Sequence, residues 1–169
     1  MKDRLTRGFL AGAISGVVCT IFNMLLGTIG LNTLRWIDWM GIITYDHVPP
    51  FTVGETLFTF FGIVVFTGVL GIVFAYFVPA LTSKNLLLKG FLWGVTIWFI
   101  IDGITTLFTI EGTTPLPLMS AISAYITASL YGLLLASLLT IFEHGKVTSA
   151  LGTQPAMKPL DESEDSDKE

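Results

Sequence analysis

Residues 8–30 read GFLAGAISGVVCTIFNMLLGTIG, 23 residues without a charge. A helix rises about 1.5 Å per residue, so about 20 residues cross a hydrocarbon core of ~30 Å. The stretch is long enough to span. Three more follow. Residues 56–78 are uncharged over 23 positions, residues 90–110 are broken only by Asp102, and residues 116–142 are uncharged over 27. Backbone polar groups in lipid must be satisfied within the segment, so these stretches predict helices. A membrane β-barrel would need alternating segments of ~10 residues, which the sequence lacks.

The rest of the chain cannot cover these helices in water. Of 169 residues, 52% are hydrophobic and 13% charged, against about 25% charged in a soluble domain. The mean hydropathy is +0.74. The sequence thus predicts an all-α integral membrane four-helix bundle, with spans near 8–30, 56–78, 90–110 and 117–142. The first span follows Lys2, Arg4 and Arg7 and so mimics a signal peptide. A signal core is only about 7–15 residues long, so an uncleaved span is expected.

Charge sets the direction. Four spans put the N-terminus, the loop near 79–88 and the C-terminal tail on one side. That side carries Lys2, Arg4, Arg7, Lys84, Lys89, Lys146, Lys158 and Lys168, and the other side carries Arg35. Cytoplasmic loops are the basic ones, so both termini are expected in the cytoplasm. The net charge of −4 comes from the end of the tail. Residues 158–169 hold six acids and two lysines, and the rest of the chain balances to zero. Residues 1–145 therefore read as the membrane domain. Residues 146–169 read as an acidic tail, disordered by composition, with the last span ending at a C-cap Gly145.

The longest outer connection, residues 31–53, begins LNTLRWIDWM. Its pattern predicts a short interfacial helix over about 31–42. Leu34, Trp36, Ile37 and Met40 share one side, and Asn32, Arg35 and Asp38 the other. Arg35 and Asp38 are spaced to pair. Trp36, Trp39 and Tyr45 suit the headgroup region.

Close helix packing is written in the glycines. Lipid gives helices no hydrophobic drive to associate, so small residues that let backbones approach do that work. The first span carries Gly8, Gly12 and Gly16, with Thr20 and Asn23 on the same sector. The second has Gly68, Gly71 and Ala75. The third has Gly90 and Gly94, and the fourth Ala124, Ala128, Gly132 and Ala136. The segment RGFLAG at 7–12 also echoes KGFLWG at 89–94. A fainter echo aligns Gly68 with Gly132. Two parallel repeated hairpins would produce this, and so would convergence on generic span features.

Asp102 is the one acid or base well inside a span. It lies about 18 Å from Gly90 at 1.5 Å per residue. A centred aspartate costs ~2.5–3.5 kcal/mol on insertion scales, offset by apolar neighbours at ~0.3–0.6 kcal/mol each. Asn23, Thr59 and Tyr125 lie at comparable depth. The four could form a proton or cation relay or a small-ligand site, or simply hold the helices together.

Enzyme chemistry finds little support. His47 falls on the outer side and His144 on the inner, so they share no site. One intramembrane aspartate does not make a pair. Cys19 stands alone, and no phosphate-binding loop appears. Asp46, His47 and Glu55 read better as loop and helix-start residues than as a metal site. No basic surface suits nucleic acid. No cofactor or metal is expected, and the partners are the lipid bilayer and either a second copy or another membrane protein.

The segments RGFLAG, LRWIDWM, HVPPF, GVLGIVFAYFVP and LLKGFLWGVTIWF give the chain a resemblance over about residues 4–142. It resembles small uncharacterised membrane proteins of Gram-positive bacteria and, distantly, the YqhR-type four-span proteins. The resemblance implies a four-helix bundle in a bacterial cell membrane and brings no activity with it. The function expected is non-enzymatic: a membrane partner or scaffold, oligomeric through its glycine faces. The alternative is a small transporter or channel subunit using the Asp102 level.

Overall fold

The computed structural model describes residues 3–80 and 84–151, the last eight as backbone alone. The chain forms α1 (Arg4–Thr28), α2 (Trp36–Tyr45), α3 (Val53–Phe77), a 3-10 turn (Val78–Ala80), α4 (Leu86–Leu107) and α5 (Leu118–Leu151). There is no strand among the described residues. Four helical segments are long and apolar enough to cross a membrane: Arg4–Thr28, Val53–Ala80, Leu86–Leu107 and Leu118–Glu143. This is the pattern of a multi-pass helical membrane protein.

The distribution of side chains is that of a protein built for lipid. Ser15, Thr20, Asn23, Thr59 and Thr127 are buried, while Leu25, Phe61, Phe99 and Leu107 are more than half exposed. In water this arrangement would leave the hydrophobic effect unspent. In a bilayer the apolar shell faces hydrocarbon and the small polar groups face other helices.

Helix ends lie where capping chemistry puts them, several residues away from the uncharged runs. The Asp3 side chain accepts from Thr6 N at 3.0 Å. The Asn85 side chain accepts from Leu88 N at 3.1 Å. Thr52 and Glu55 form a reciprocal capping box, with Thr52 N donating to Glu55 Oε2 at 2.7 Å. Such caps satisfy the orphan first-turn N–H groups. Hence α1 starts at Arg4 rather than residue 8, and α4 starts at Leu86 rather than 90. Lack of charge marks the hydrocarbon depth, and the helices continue past it.

Two other ends differ from expectation. α4 stops at Leu107, three residues early, and Thr109 turns the chain with φ 47°. α5 passes Gly145 without a cap and runs to Leu151. A glycine inside a helix costs only about 1 kcal/mol, which does not end a long helix. The acidic segment from 152 onward lies outside the described residues.

The glycines join the long helices in antiparallel pairs. A Cβ placed on Gly8 would meet Ile72 Cα at 2.9 Å and Ala75 Cβ at 3.0 Å. On Gly12 it would meet Gly71 Cα at 2.9 Å, and on Gly16 it would strike the Thr67 side chain. α1 and α3 therefore touch backbone to backbone. α4 and α5 repeat the arrangement. A Cβ on Gly90 would meet Ala136 Cβ at 2.6 Å, one on Gly94 would meet Ala128 C at 2.9 Å, and one on Gly132 would meet Gly94 N at 3.0 Å. Gly8 and Gly12 thus correspond to Gly90 and Gly94, and Thr67, Gly71 and Ala75 to Ala128, Gly132 and Ala136. The equivalent of Gly132 is Gly71, one helical turn from the Gly68 that the sequence echo aligns with it. Gly8, Gly12, Gly16, Gly90, Gly94 and Gly132 all lie against a neighbouring helix of the same chain.

α1 also packs along α5. α3 and α4 meet near the face where α1 begins, called here the terminal face. There Trp93 packs on Phe74 and Phe77, with ring centroids 5.8 and 6.0 Å apart. Lys89 Nζ donates to the Val78 carbonyl at 3.1 Å. Toward the opposite, far face, the seam between α3 and α4 opens.

Candidate functional site

The open seam is a cleft of about 100 Å³. α3 forms one wall with Ile63, Phe66 and Leu70, and α4 the other with Ile97, Trp98 and Ile101. α5 supplies the back through Ala124, Ala128 and Tyr131. α2 and the residues leading into it, Leu34, Trp36, Trp39 and Met40, close the far-face end. Tyr131 is buried, and its hydroxyl donates to the Thr67 carbonyl at 2.7 Å, tying the back wall to α3. The remaining side is the unsealed seam between α3 and α4.

The roof is held by a buried polar hub. Asn23 is fully buried on α1. Its Oδ1 accepts from Trp36 N at 2.8 Å and from Asn32 Nδ2 at 3.1 Å, and its Nδ2 donates to Thr127 Oγ1 at 3.2 Å. Thr127 in turn donates to the Ser123 carbonyl at 2.7 Å. Beside it, Thr33 N donates to Ser120 Oγ at 3.0 Å. One amide thus joins α1, α5 and the first residue of α2.

α2 itself differs from the flat interfacial helix expected. It occupies Trp36–Tyr45 instead of starting near 31, and Asn32 and Asp38 are buried rather than turned to water. The reason is local. Asn32 completes the Asn23 hub. The Asp38 carboxylate accepts from Arg35 N at 3.2 Å and from the Arg35 guanidinium at 2.7 and 2.8 Å. That pair holds the Arg35 guanidinium above its already high ordinary value, chiefly through the hydrogen bond to Asp38.

The four residues matched by depth do not form one cluster. Asp102 lines the cleft, half-buried, and no hydrogen bond or ion pair joins its carboxyl to another described residue. Tyr125 lies beside the cleft, edge-on to Trp98 at 5.5 Å. Asn23 is engaged in the hub behind the roof. Thr59 is buried on α3 with its hydroxyl unpartnered. Depth along a helix says nothing of the direction a residue faces, and the parted α3 and α4 keep Thr59 from Asp102. Asp102 also lies closer to the helix end than the sequence implied. With α4 ending at Leu107, it stands about 8 Å from that end at 1.5 Å per residue.

A second hollow of about 240 Å³ lies at the far face among the connecting loops, lined by Thr33, Asp38, Val48 and Pro115. It shares Leu34, Thr113 and Leu116 with the cleft. Nearby, His47 Nε2 stands 3.5 Å from Glu55 Oε1, and its Nδ1 donates to the Val48 carbonyl at 3.0 Å. The Val48 carbonyl first, and then Glu55, raise the His47 imidazole above its ordinary 6.5. Asp46 does not join them: no three His, Cys, Asp or Glu residues among those described gather as a metal site.

The cleft and its tryptophans escape sequence reasoning, because a missing helix contact leaves no mark in hydropathy. Three of the four tryptophans, Trp36, Trp39 and Trp98, line the cleft. No protein-family model, curated protein or solved structure matches the chain.

Proposed function

We propose that this is a non-enzymatic, multi-pass protein of the bacterial cell membrane that works by binding, with the α3–α4 cleft as its binding surface. Both termini are cytoplasmic in this reading, because eight of the nine Lys and Arg residues lie on that side. α2 then lies at the outer membrane surface. The observation that carries the reading is the cleft itself. The glycine faces are used within the chain, so the unsealed seam is the surface left for a partner. Its lining is mostly apolar and in this reading opens to lipid, which suits a membrane-borne occupant.

The tryptophans supply the test. Trp93 lies outside the cleft, so Trp93→Phe leaves the three cleft tryptophans as reporters. In a nonionic detergent, ω-bromodecanol is expected to quench them saturably. Ala124→Phe, which fills the cleft from its back wall, is expected to abolish the saturable part. A response that grows only linearly with probe, or that survives Ala124→Phe, refutes the cleft as a binding surface.

A second reading, a small transporter or channel subunit, rests on Asp102 and the adjoining far-face hollow. It requires cation flux in proteoliposomes that falls with Asp102→Asn.

A further inference from the structure

On the reading that the cleft is the binding surface, its chemistry names the occupant: we infer a single-chain amphiphilic cation, an apolar tail carrying an ammonium head. Three independent features of the cleft agree on this.

The first is charge. Asp102 is the only charged residue among those lining the cleft. Its carboxyl has no hydrogen-bond or ion-pair partner among the described residues. Arg35, a cation of the same face, is committed to Asp38 at 2.7 and 2.8 Å. A carboxylate against apolar walls is stabilised by a cation that brings its charge into contact.

The second is the aromatic lining. Trp36, Trp39 and Trp98 line the same space as Asp102. Tryptophan is the best cation–π partner, and cages of such rings recognise ammonium groups. An anionic or merely apolar ligand makes no use of this pairing of carboxylate and indole.

The third is direction. Asp102 stands near the far-face end of α4, while Gly94 and Tyr131 mark the deep end of the cleft. Between Gly94 and Asp102 α4 rises about 12 Å at 1.5 Å per residue. A head at Asp102 therefore sends its tail toward the bilayer centre, as an amphiphile of that leaflet lies. About 100 Å³ grips part of one chain. An apolar cavity of ~150 Å³ takes a benzene-sized group, so two acyl chains do not fit. An ordinary phospholipid is disfavoured on charge as well. The polar groups next to its chains are ester carbonyls and a phosphate, which present acceptors and negative charge to Asp102. The matching ligand carries its ammonium directly on the chain.

The test uses the Trp93→Phe chain in nonionic detergent, with ω-bromodecyl trimethylammonium, ω-bromodecyl sulfate and ω-bromodecanol as probes. The ammonium is expected to bind about tenfold or more tighter than the sulfate. Asp102→Asn is expected to weaken the ammonium about tenfold while leaving the alcohol unchanged, which also shows that the variant is folded. Equal affinity for ammonium and sulfate, or a preference that survives Asp102→Asn, overturns the cation while saturable alcohol binding keeps the cleft. Absence of saturable quenching by all three probes removes both proposals.

Discussion

The Asn23 hub holds α2 over the cleft, and Asn23→Ala measures how firmly. The substitution removes three hydrogen bonds: from Trp36 N, from Asn32 Nδ2 and to Thr127 Oγ1. They are not equal. Thr127 Oγ1 keeps its bond to the Ser123 carbonyl at 2.7 Å and loses only an acceptor role. The Trp36 N–H and the Asn32 amide become unpaired donors, and Asn32 is buried. An orphaned buried donor costs about 1–3 kcal/mol. Measured bonds between membrane helices average about 0.6 and reach about 1.7 kcal/mol. Two orphaned donors and one lost acceptor contact then give about 2–4 kcal/mol. Thr127→Val breaks the link from the hub to α5 together with the bond to the Ser123 carbonyl, leaves the α2 bonds in place, and is expected to cost about 1 kcal/mol. Reversible denaturant unfolding in mixed micelles reads both. Cysteine accessibility at Met40, on the roof, should rise in Asn23→Ala and stay low in Thr127→Val. A loss below about 1 kcal/mol for Asn23→Ala, or a Thr127→Val loss as large, would show that the amide is not the hub.

The glycines divide by what surrounds them. Gly12→Ala puts a methyl 2.9 Å from Gly71 Cα and is expected to cost about 1–3 kcal/mol by overpacking. Gly103→Ala meets nothing within 4 Å and should be neutral or gain up to about 1 kcal/mol of helix propensity; the same unfolding assay ranks them, and the reverse order contradicts the packing. Tyr131→Phe removes the hydroxyl donated to the Thr67 carbonyl. It should cost about 0.6–1.7 kcal/mol yet leave ω-bromodecanol quenching in place, since the ring still backs the cleft. His47 is raised above 6.5 by the Val48 carbonyl and by Glu55. Its stabilising contribution is therefore complete below the unfolded value and fades as pH rises through the folded one. Imidazole NMR titration should place the midpoint above 6.5, and Glu55→Gln should lower it. An unmoved midpoint would detach Glu55 from the imidazole.

Much of the fold is legible in the sequence because lipid imposes so few alternatives. A charge-free run of 23 residues can hide its backbone only in a helix, so four spans follow from counting. The glycine faces were equally legible, since spacing four fixes a helix face. What stayed hidden needs distances across the fold. Asn32 and Asp38 look like a water-facing side until Asn23 and Arg35 are seen to engage them. Asp102 looks central until α4 ends at Leu107. Thr59 shares a depth with Asp102 but does not line the cleft. Hydropathy reports how deep a residue lies, and only packing reports what it faces.

The two helix pairs also explain why a cleft exists at all. α1 crosses α3 and α4 crosses α5 by the same backbone contact, Gly12 on Gly71 and Gly94 on Gly132. Each contact uses up the small-residue face of both helices. The pairs join where α1 packs along α5, with Ala11 and Cys19 in one buried cluster with Tyr131, Leu135 and Ala136. That leaves α3 and α4 as the outer members, joined near the terminal face by Trp93 on Phe74 and Phe77. Along the rest of the seam neither helix has a small face left to offer the other. α2 closes one end of the gap, held by the backbone N–H of Trp36 on Asn23 and by its packing along α3. The lateral opening is therefore a consequence of how the pairs are built. The two walls it leaves carry Ile63 and Phe66 on α3 and Trp98 and Asp102 on α4.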